Sequence, residues 1–286
     1  MKSLAGEPKA NRLITVLGAT GFIGSHLVKR LGELGRNFFA PDRDEAFTRR
    51  NYGDVIYCIG VTADFRNRPF ATVAAHVCHL KRVLEECDFD SLLYLSSIRV
   101  YKNSSAPARE DDAIALNPAV PDDLYNISKV MGESLTLSCG KKGRVARLAN
   151  VYGKNFDSPN FLSAVIAEAV TKTEVIVRNA PDAEKDYVSV GDVVDSLIKI
   201  ATQGEHSIYN VASGRNLSNA RLLGKISELT GCRVTFDAAA PKMTFPAINI
   251  DRLRSEFGFR PRNLLEDLSE AIDQYRSQCL AEDAKP

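Results

Sequence analysis

Tyr125 and Lys129 stand four residues apart. In a helix that spacing sets both side chains on one face, a turn apart. A phenol titrates near pH 10 on its own, and an adjacent ammonium favours its ionised form. Such a pair can exchange a proton with an alcohol or ketone near neutral pH. Alone it is an ordinary surface contact, but two features upstream give it weight. The apolar run 92–95 ends in Ser96-Ser97, and a hydroxyl at a strand end can bond a substrate oxygen and share its proton with Tyr125. Farther upstream, Gly18-Ala19-Thr20-Gly21-Phe22-Ile23-Gly24 directly follows one apolar run and opens a helical pattern.

That glycine spacing, between strand and helix, is the pattern of a dinucleotide-binding turn. Gly18 permits the tight turn, Gly21 lets the backbone approach a pyrophosphate, and Gly24 lets helix and strand pack closely. Thr20, Phe22 and Ile23 lie within the same turn, and the phosphates would meet the positive helix end. Asp42 follows Gly24 by 18 residues; a carboxylate there can accept both adenosine ribose hydroxyls, which favours NAD. Arg43 next to it can pair with a 2′-phosphate, which favours NADP. The choice between NAD and NADP stays open. In NAD(P) chemistry the positive nicotinamide ring would further favour a Tyr125 phenolate, and Lys129 would also hold the nicotinamide ribose.

The elements that must hold these residues follow from hydrophobic periodicity. Residues 13–17 predict a buried strand, and Ile23, Leu27, Leu31 and Leu34 predict a helix that Gly35 ends. Further strands are expected at 38–40, 55–59, 91–95 and 145–148, with helices at 71–86 and 124–138. Strands that are apolar throughout and alternate with helices predict an α/β fold, a Rossmann-type doubly wound parallel sheet. Beyond residue 150 the pattern loosens. Helices are expected at 161–170, 190–202, 219–229 and 264–275, and a strand at 174–177. The expected organisation is a disordered lead-in at 1–11, a dinucleotide-binding domain at 12–150 to which 187–210 return, and a smaller substrate-binding lobe over 151–286. The tail after Gln278 is expected to fray.

Composition excludes several classes. Against 37 basic side chains stand 36 acidic ones, a formal charge of +1, which argues against a broad nucleic-acid footprint. The cysteines at 58, 78, 87, 139, 232 and 279 form no CxxC pair and have no histidine at metal-ligand spacing. They read as free thiols of a reducing compartment, with no metal site. No apolar run reaches membrane-span length and the start is polar; a cytoplasmic protein without a membrane partner is expected.

With these motifs in order, the sequence resembles the extended short-chain dehydrogenases/reductases, the NAD-dependent epimerase/dehydratase family. The resemblance rests on GATGFIG at 18–24, YLSSIRVY at 94–101, YNISK at 125–129, RLANVYG at 147–153 and KDYVSVGDVV at 185–194, and runs from about residue 13 to 275. It implies hydride chemistry on a nucleotide-diphosphate sugar. It also implies a homodimer that pairs the 71–86 helix and the Tyr125 helix of each subunit. By the resemblance Ser97, four residues before Tyr101, takes the hydroxyl role, and Asn150 follows the substrate toward its diphosphate. Lys185 stands where many members carry an Arg against a phosphate, and Arg178 and Lys242 are candidates to add charge. Gly60 permits close approach to the cofactor, and Thr62, just beyond it, is a substrate-side candidate.

Two departures bear on the reaction. Family dehydratases carry an acidic pair after the Ser or Thr, where this chain has Ile98 and Arg99; that weighs against a 4,6-dehydratase and leaves a C4 epimerase or a 4-keto-sugar reductase. Only residues 43–53 separate Asp42 from the next strand, too few for the extra helix–strand–helix of many members. A reductase of another small ketone, or a dinucleotide-binding protein without chemistry, are the other readings. Proteins of the second kind usually lack the Tyr or the Lys.

Overall fold

The computed structural model describes residues 12–283, apart from 44, 46, 47, 49, 63, 105, 106, 155–159 and 238–244. The lead-in 1–11 and Lys242 lie outside the described residues. The chain opens with β1 (Ile14–Leu17), α1 (Phe22–Glu33), β2 (Phe38–Phe39) and β3 (Asp54–Tyr57). A helical stretch follows as α2 (Pro69–Val73), a π-helical turn (Ala74–Cys78) and α3 (His79–Glu86). Next come β4 (Ser91–Ser97), a 3₁₀ turn (Ile98–Tyr101), α4 (Asp123–Leu137), β5 (Gly143–Leu148) and β6 (Asn150–Tyr152). The C-terminal half contributes α5 (Phe161–Thr171), β7 (Glu174–Val177), β8 (Glu184–Ser189), α6 (Val190–Gln203) and β9 (Ile208–Val211). It ends with β10 (Asn216–Ser218), α7 (Asn219–Thr230), β11 (Arg233–Phe236), α8 (Asp251–Phe257) and α9 (Leu264–Asp283).

Among the described residues the central sheet has six parallel strands in the order β2-β1-β3-β4-β5-β9. Alternate side chains serve its two faces. Ile14, Val16, Ile56, Leu93 and Leu95 pack with Leu27 and Leu31 of α1 and Val193, Val194 and Leu197 of α6. Val55, Tyr57, Leu92 and Tyr94 pack with Leu80 and Val83 of α3. Helices thus cover both faces, which is why most sheet residues are apolar and the doubly wound reading holds. β2 and β9 are the edge strands among the described residues, and the described residues between β2 and β3 form no helix, in keeping with the short 43–53 link.

A second, smaller cluster joins α5, β7, α7 and α9 through Leu162, Ile166, Val175, Leu222, Ile226, Leu268 and Ile272. Two features depart from expectation. The 71–86 helix contains the π turn, on which His76 is buried. The final helix does not fray after Gln278 but runs to Asp283, anchored by Leu264, Leu268, Ile272 and Tyr275 at helical spacing. No helix among the described residues is long and apolar enough to cross a membrane.

Asp186 of β8 ties that strand to the segment that follows β9. It is fully buried and accepts hydrogen bonds from the Ser213, Gly214 and Arg215 amides at 2.7, 2.8 and 3.1 Å and from Ser213 Oγ at 2.8 Å. Burial raises its pKa to about 6 against the pull of these donors. Asp186→Ala strands three backbone amides without an acceptor. The expected loss is about 3 kcal/mol, read as a lower urea midpoint at unchanged slope.

Candidate active site

The glycine turn is built as its spacing requires. Gly18 adopts φ +84°, and a Cβ there would stand 3.0 Å from the Ile59 amide. A Cβ on Gly24 would meet the Gly18 carbonyl at 2.2 Å, so α1 can approach β1 only over a glycine. Gly21 is the N-cap of α1 and offers no side-chain cap. Its own Cβ position is nearly free, with the Gly18 oxygen at 3.4 Å, so a ligand can come close to the helix amides there. Thr20 is exposed. Phe22 and Ile23 turn their side chains onto the core, leaving their backbone N–H groups for an anion. Asp42 and Arg43 are both exposed just beyond β2.

The loop after β3 connects this turn to Tyr125. A Cβ on Gly18 would meet Cys58 and Ile59, and a Cβ on Gly60 would lie 3.3 Å from His76 Nε2 and 3.6 Å from Lys129 Nζ. Tyr125 is buried, with 3% exposure. Its ring packs against Phe65 at 4.9 Å and meets His76 edge-on at 5.3 Å. The half-buried Ser97 side chain sits beside the Tyr125 hydroxyl and lowers its pKa as a hydrogen-bonding group, and it accepts from the Arg99 amide at 3.3 Å. Lys129, also buried, donates to the Leu95 carbonyl at 2.8 Å and stands 6.0 Å from the Tyr125 ring centre. Ser97, Tyr125 and Lys129 thus converge.

The electrostatics differ from the sequence expectation. Burial raises the Tyr125 pKa; the Ser97 hydrogen bond and then the charge of Arg99 pull the other way. Burial lowers the Lys129 pKa to about 7. Arg99 supplies a positive charge, its guanidinium carbon 5.6 Å from the Tyr125 ring centre. Spacing along a helix gives no account of desolvation, hence the reversed direction.

Ser96 does not join the cluster by its side chain. It is buried and donates to Glu133 at 2.5 Å, inside a network where Arg147 grips Glu133 at 2.6 Å and Tyr101 at 2.5 Å. Lys185 lies on the cluster side, its ammonium 4.4 Å from the Phe161 ring centre and its pKa lowered by burial and then by Arg99. Asn150 pairs with Tyr187 across β6 and β8 and donates to the Asp186 carbonyl at 2.8 Å. Thr62 is exposed in the loop beyond Gly60. Arg178 is exposed beyond β7, on the two-stranded sheet, and takes no part in the Tyr125 contacts.

Sequence reasoning missed His76. It is wholly buried, with Nδ1 2.8 Å from Ser128 Oγ, and Ser128 donates to the Tyr125 carbonyl at 2.8 Å. Burial and then Lys129 push its pKa down to about 2, so the ring is neutral. Its spacing with Leu80 and Val83 put it on the buried helix face, which was the available signal.

Comparison with known proteins places the chain. The sequence model of the NAD dependent epimerase/dehydratase family matches residues 14–75 and 45–212. A dTDP-4-dehydro-6-deoxy-D-allose reductase of Streptomyces sp is 24% identical, over 93% of this chain and 97% of its own. The structure of MoeE5 in complex with UDP-glucose and NAD superposes with a TM-score of 0.77 at 24% identity, over 93% of this chain and 99% of that one. RMD from Pseudomonas aeruginosa, complexed with NADPH, gives 0.75 at 20% identity, over 94% and 98%. The match through the glycine turn, both halves of the central sheet and the Tyr125 helix makes this chain a member of the NAD dependent epimerase/dehydratase family.

Proposed function

We propose that this protein transfers hydride between NAD or NADP and the C4 carbinol of a nucleotide-activated sugar, as a C4 epimerase or a 4-keto-sugar reductase. One observation carries the reading: a Cβ on Gly18 would stand 3.0 Å from the Ile59 amide and a Cβ on Gly60 would stand 3.6 Å from Lys129 Nζ, so one loop links the glycine turn to the lysine of the buried cluster. A dinucleotide lying along that loop would span both. Relatives of nearly full length act on dTDP-4-keto sugars by name, and structural neighbours hold UDP-glucose with NAD, or NADPH.

The backbone of residues 18–24 would cradle the pyrophosphate, with Asp42 or Arg43 at the adenosine ribose, and Gly60 and Lys129 toward the nicotinamide ribose. The bound dinucleotide supplies or accepts the hydride. Tyr125 moves the proton at the carbinol oxygen, and Ser97 orients that oxygen by hydrogen bonding. The raised Tyr125 pKa keeps the phenol protonated and ready as an acid in the reducing direction. Asn150 and Lys185 lie toward the smaller lobe, which would cover the sugar nucleotide, Lys185 against its diphosphate. Ile98 and Arg99 give no acid for removing water, which disfavours a 4,6-dehydratase. A homodimer through α2–α3 and α4 fits the exposure of Phe70, at 88%, and Met131, at 50%, on those helices.

Native mass spectrometry of freshly purified protein, followed by nucleotide-linked 4-keto sugars with NADPH, tests the reading. Retained NAD with no net consumption marks an epimerase, and stoichiometric NADPH consumption a reductase. Neither result across the UDP, dTDP, GDP and CDP series overturns the proposal.

A further inference from the structure

Arg99 follows Ser97 by two residues, on the 3₁₀ turn beside Tyr125. Its guanidinium carbon stands 5.6 Å from the Tyr125 ring centre and 5.4 Å from that of Phe65. Its Nε is buried and has no hydrogen-bond partner among the described residues. The carboxylates nearest it on the chain's own α4 are already engaged. Asp122 is gripped by Arg66 through two bonds of 2.8 and 2.7 Å. Asp123 is held by Lys102 at 2.5 Å, the Asn117 amide at 2.9 Å and Asn126 at 2.9 Å.

Lys185 of β8 lies close enough to Arg99 for that positive charge, after burial, to lower its pKa. Neither cation forms an ion pair among the described residues. Two partly buried cations near each other without an anion are electrostatically unfavourable. The same place lies against the hydroxyl cluster, where a reacting carbinol oxygen must come within about 3 Å of Tyr125. In a pyranose whose O4 meets Tyr125, the diphosphate on C1 leaves from the opposite side of the ring. The substituents on C3 and C5 neighbour C4, and of the two the exocyclic carbon on C5 is the one that can be a carboxylate. A planar guanidinium matches a carboxylate there in two parallel hydrogen bonds.

We infer that Arg99 selects a sugar nucleotide carrying a carboxylate beside its reacting carbinol, a nucleotide-linked uronic acid or its 4-keto form. The inference rests on the hydride chemistry proposed above. Lys185 remains the cation for the diphosphate, so the two charges divide the substrate's anions between them.

Isothermal titration of the NAD-loaded protein with UDP-glucuronate, UDP-glucose and UDP tests this, with the corresponding dTDP, GDP and CDP ligands where UDP does not bind. The carboxylate sugar is expected to bind about tenfold tighter than its neutral counterpart. Arg99→Met, which keeps the packing over Phe65 and Tyr125, is expected to erase that preference while leaving the affinity for the bare nucleotide unchanged. Arg99→Lys keeps the charge without the fork and retains part of the preference, and it serves if the Met variant does not fold. Equal binding of the two sugars by the wild type overturns the inference, as does a preference that survives Arg99→Met. Weakened binding of the bare nucleotide in Arg99→Met would assign Arg99 to the diphosphate instead, which also overturns it. Bare nucleotide binding without binding of either sugar does so too. Absence of binding by every nucleotide and sugar nucleotide overturns the proposed function and this inference with it.

Discussion

Tyr125→Phe is expected to lower turnover by about a thousandfold, the range that a positioned proton-transfer group contributes. The substitution removes one oxygen and leaves the ring in place against Phe65 and His76. The single hydrogen bond lost, to Ser97, is worth about 1 kcal/mol, so the variant should fold and melt close to the wild type. Binding of NAD(P) and of the sugar nucleotide should persist, and the defect should fall on kcat with KM little changed. Steady-state kinetics beside isothermal titration of the dinucleotide checks both halves. A variant that turns over at the wild-type rate would remove Tyr125 from the chemistry, whatever its position.

Lys129→Met is expected to cost about a hundredfold in turnover and, unusually for a buried substitution, to stabilise the fold at low pH. Burial depresses the Lys129 pKa from 10.5 to about 7. Between those values the unfolded chain holds a proton that the folded chain does not. Wild-type stability therefore rises as pH climbs from about 7 toward 10.5, and is least below 7, where the folded protein must carry the buried charge. Methionine removes that cost and loses the bond to the Leu95 carbonyl and the ammonium's contacts with the Tyr94 and Tyr125 rings. The net gain below pH 7 should be on the order of 2 kcal/mol and should vanish toward pH 10.5. Urea unfolding of both proteins across that pH range reads it directly. A group kept in the interior at the expense of stability is what a functional rather than a structural lysine looks like. A variant less stable at pH 6 than the wild type would assign Lys129 to the fold.

The parts of this site that are local in sequence were legible in it. Gly18 to Gly24 and the Tyr125–Lys129 pair announce themselves by spacing alone, since strand, tight turn and helix each impose a short-range period. The strand ending at Ser97 was legible for the same reason. Among the short strands of the second half β7 was legible, at 174–177, but β6 and β8 were not. β6, with Asn-Val-Tyr, and β8, with Glu-Lys-Asp-Tyr-Val-Ser, have no strong apolar period, and their pairing is set by partners distant in sequence. The π turn that brings His76 to Tyr125 has no sequence signature comparable to a glycine turn. Ser96 and Ser97 looked alike as residues. Strand alternation sent one into the Glu133–Arg147 network and the other to the phenol. The direction of the Tyr125 and Lys129 shifts depends on how deeply each is buried, which only the assembled fold reveals.

A single-turnover reaction tests the central claim most directly: protein loaded with NADPH or NADH is mixed with a nucleotide-linked 4-keto sugar, and the nicotinamide absorbance is followed. The absorbance should decay as the sugar gains an alcohol at that carbon, and the decay should slow by about a thousandfold in Tyr125→Phe. A trace that stays flat for every nucleotide series, or one that decays equally fast without the Tyr125 hydroxyl, would contradict it.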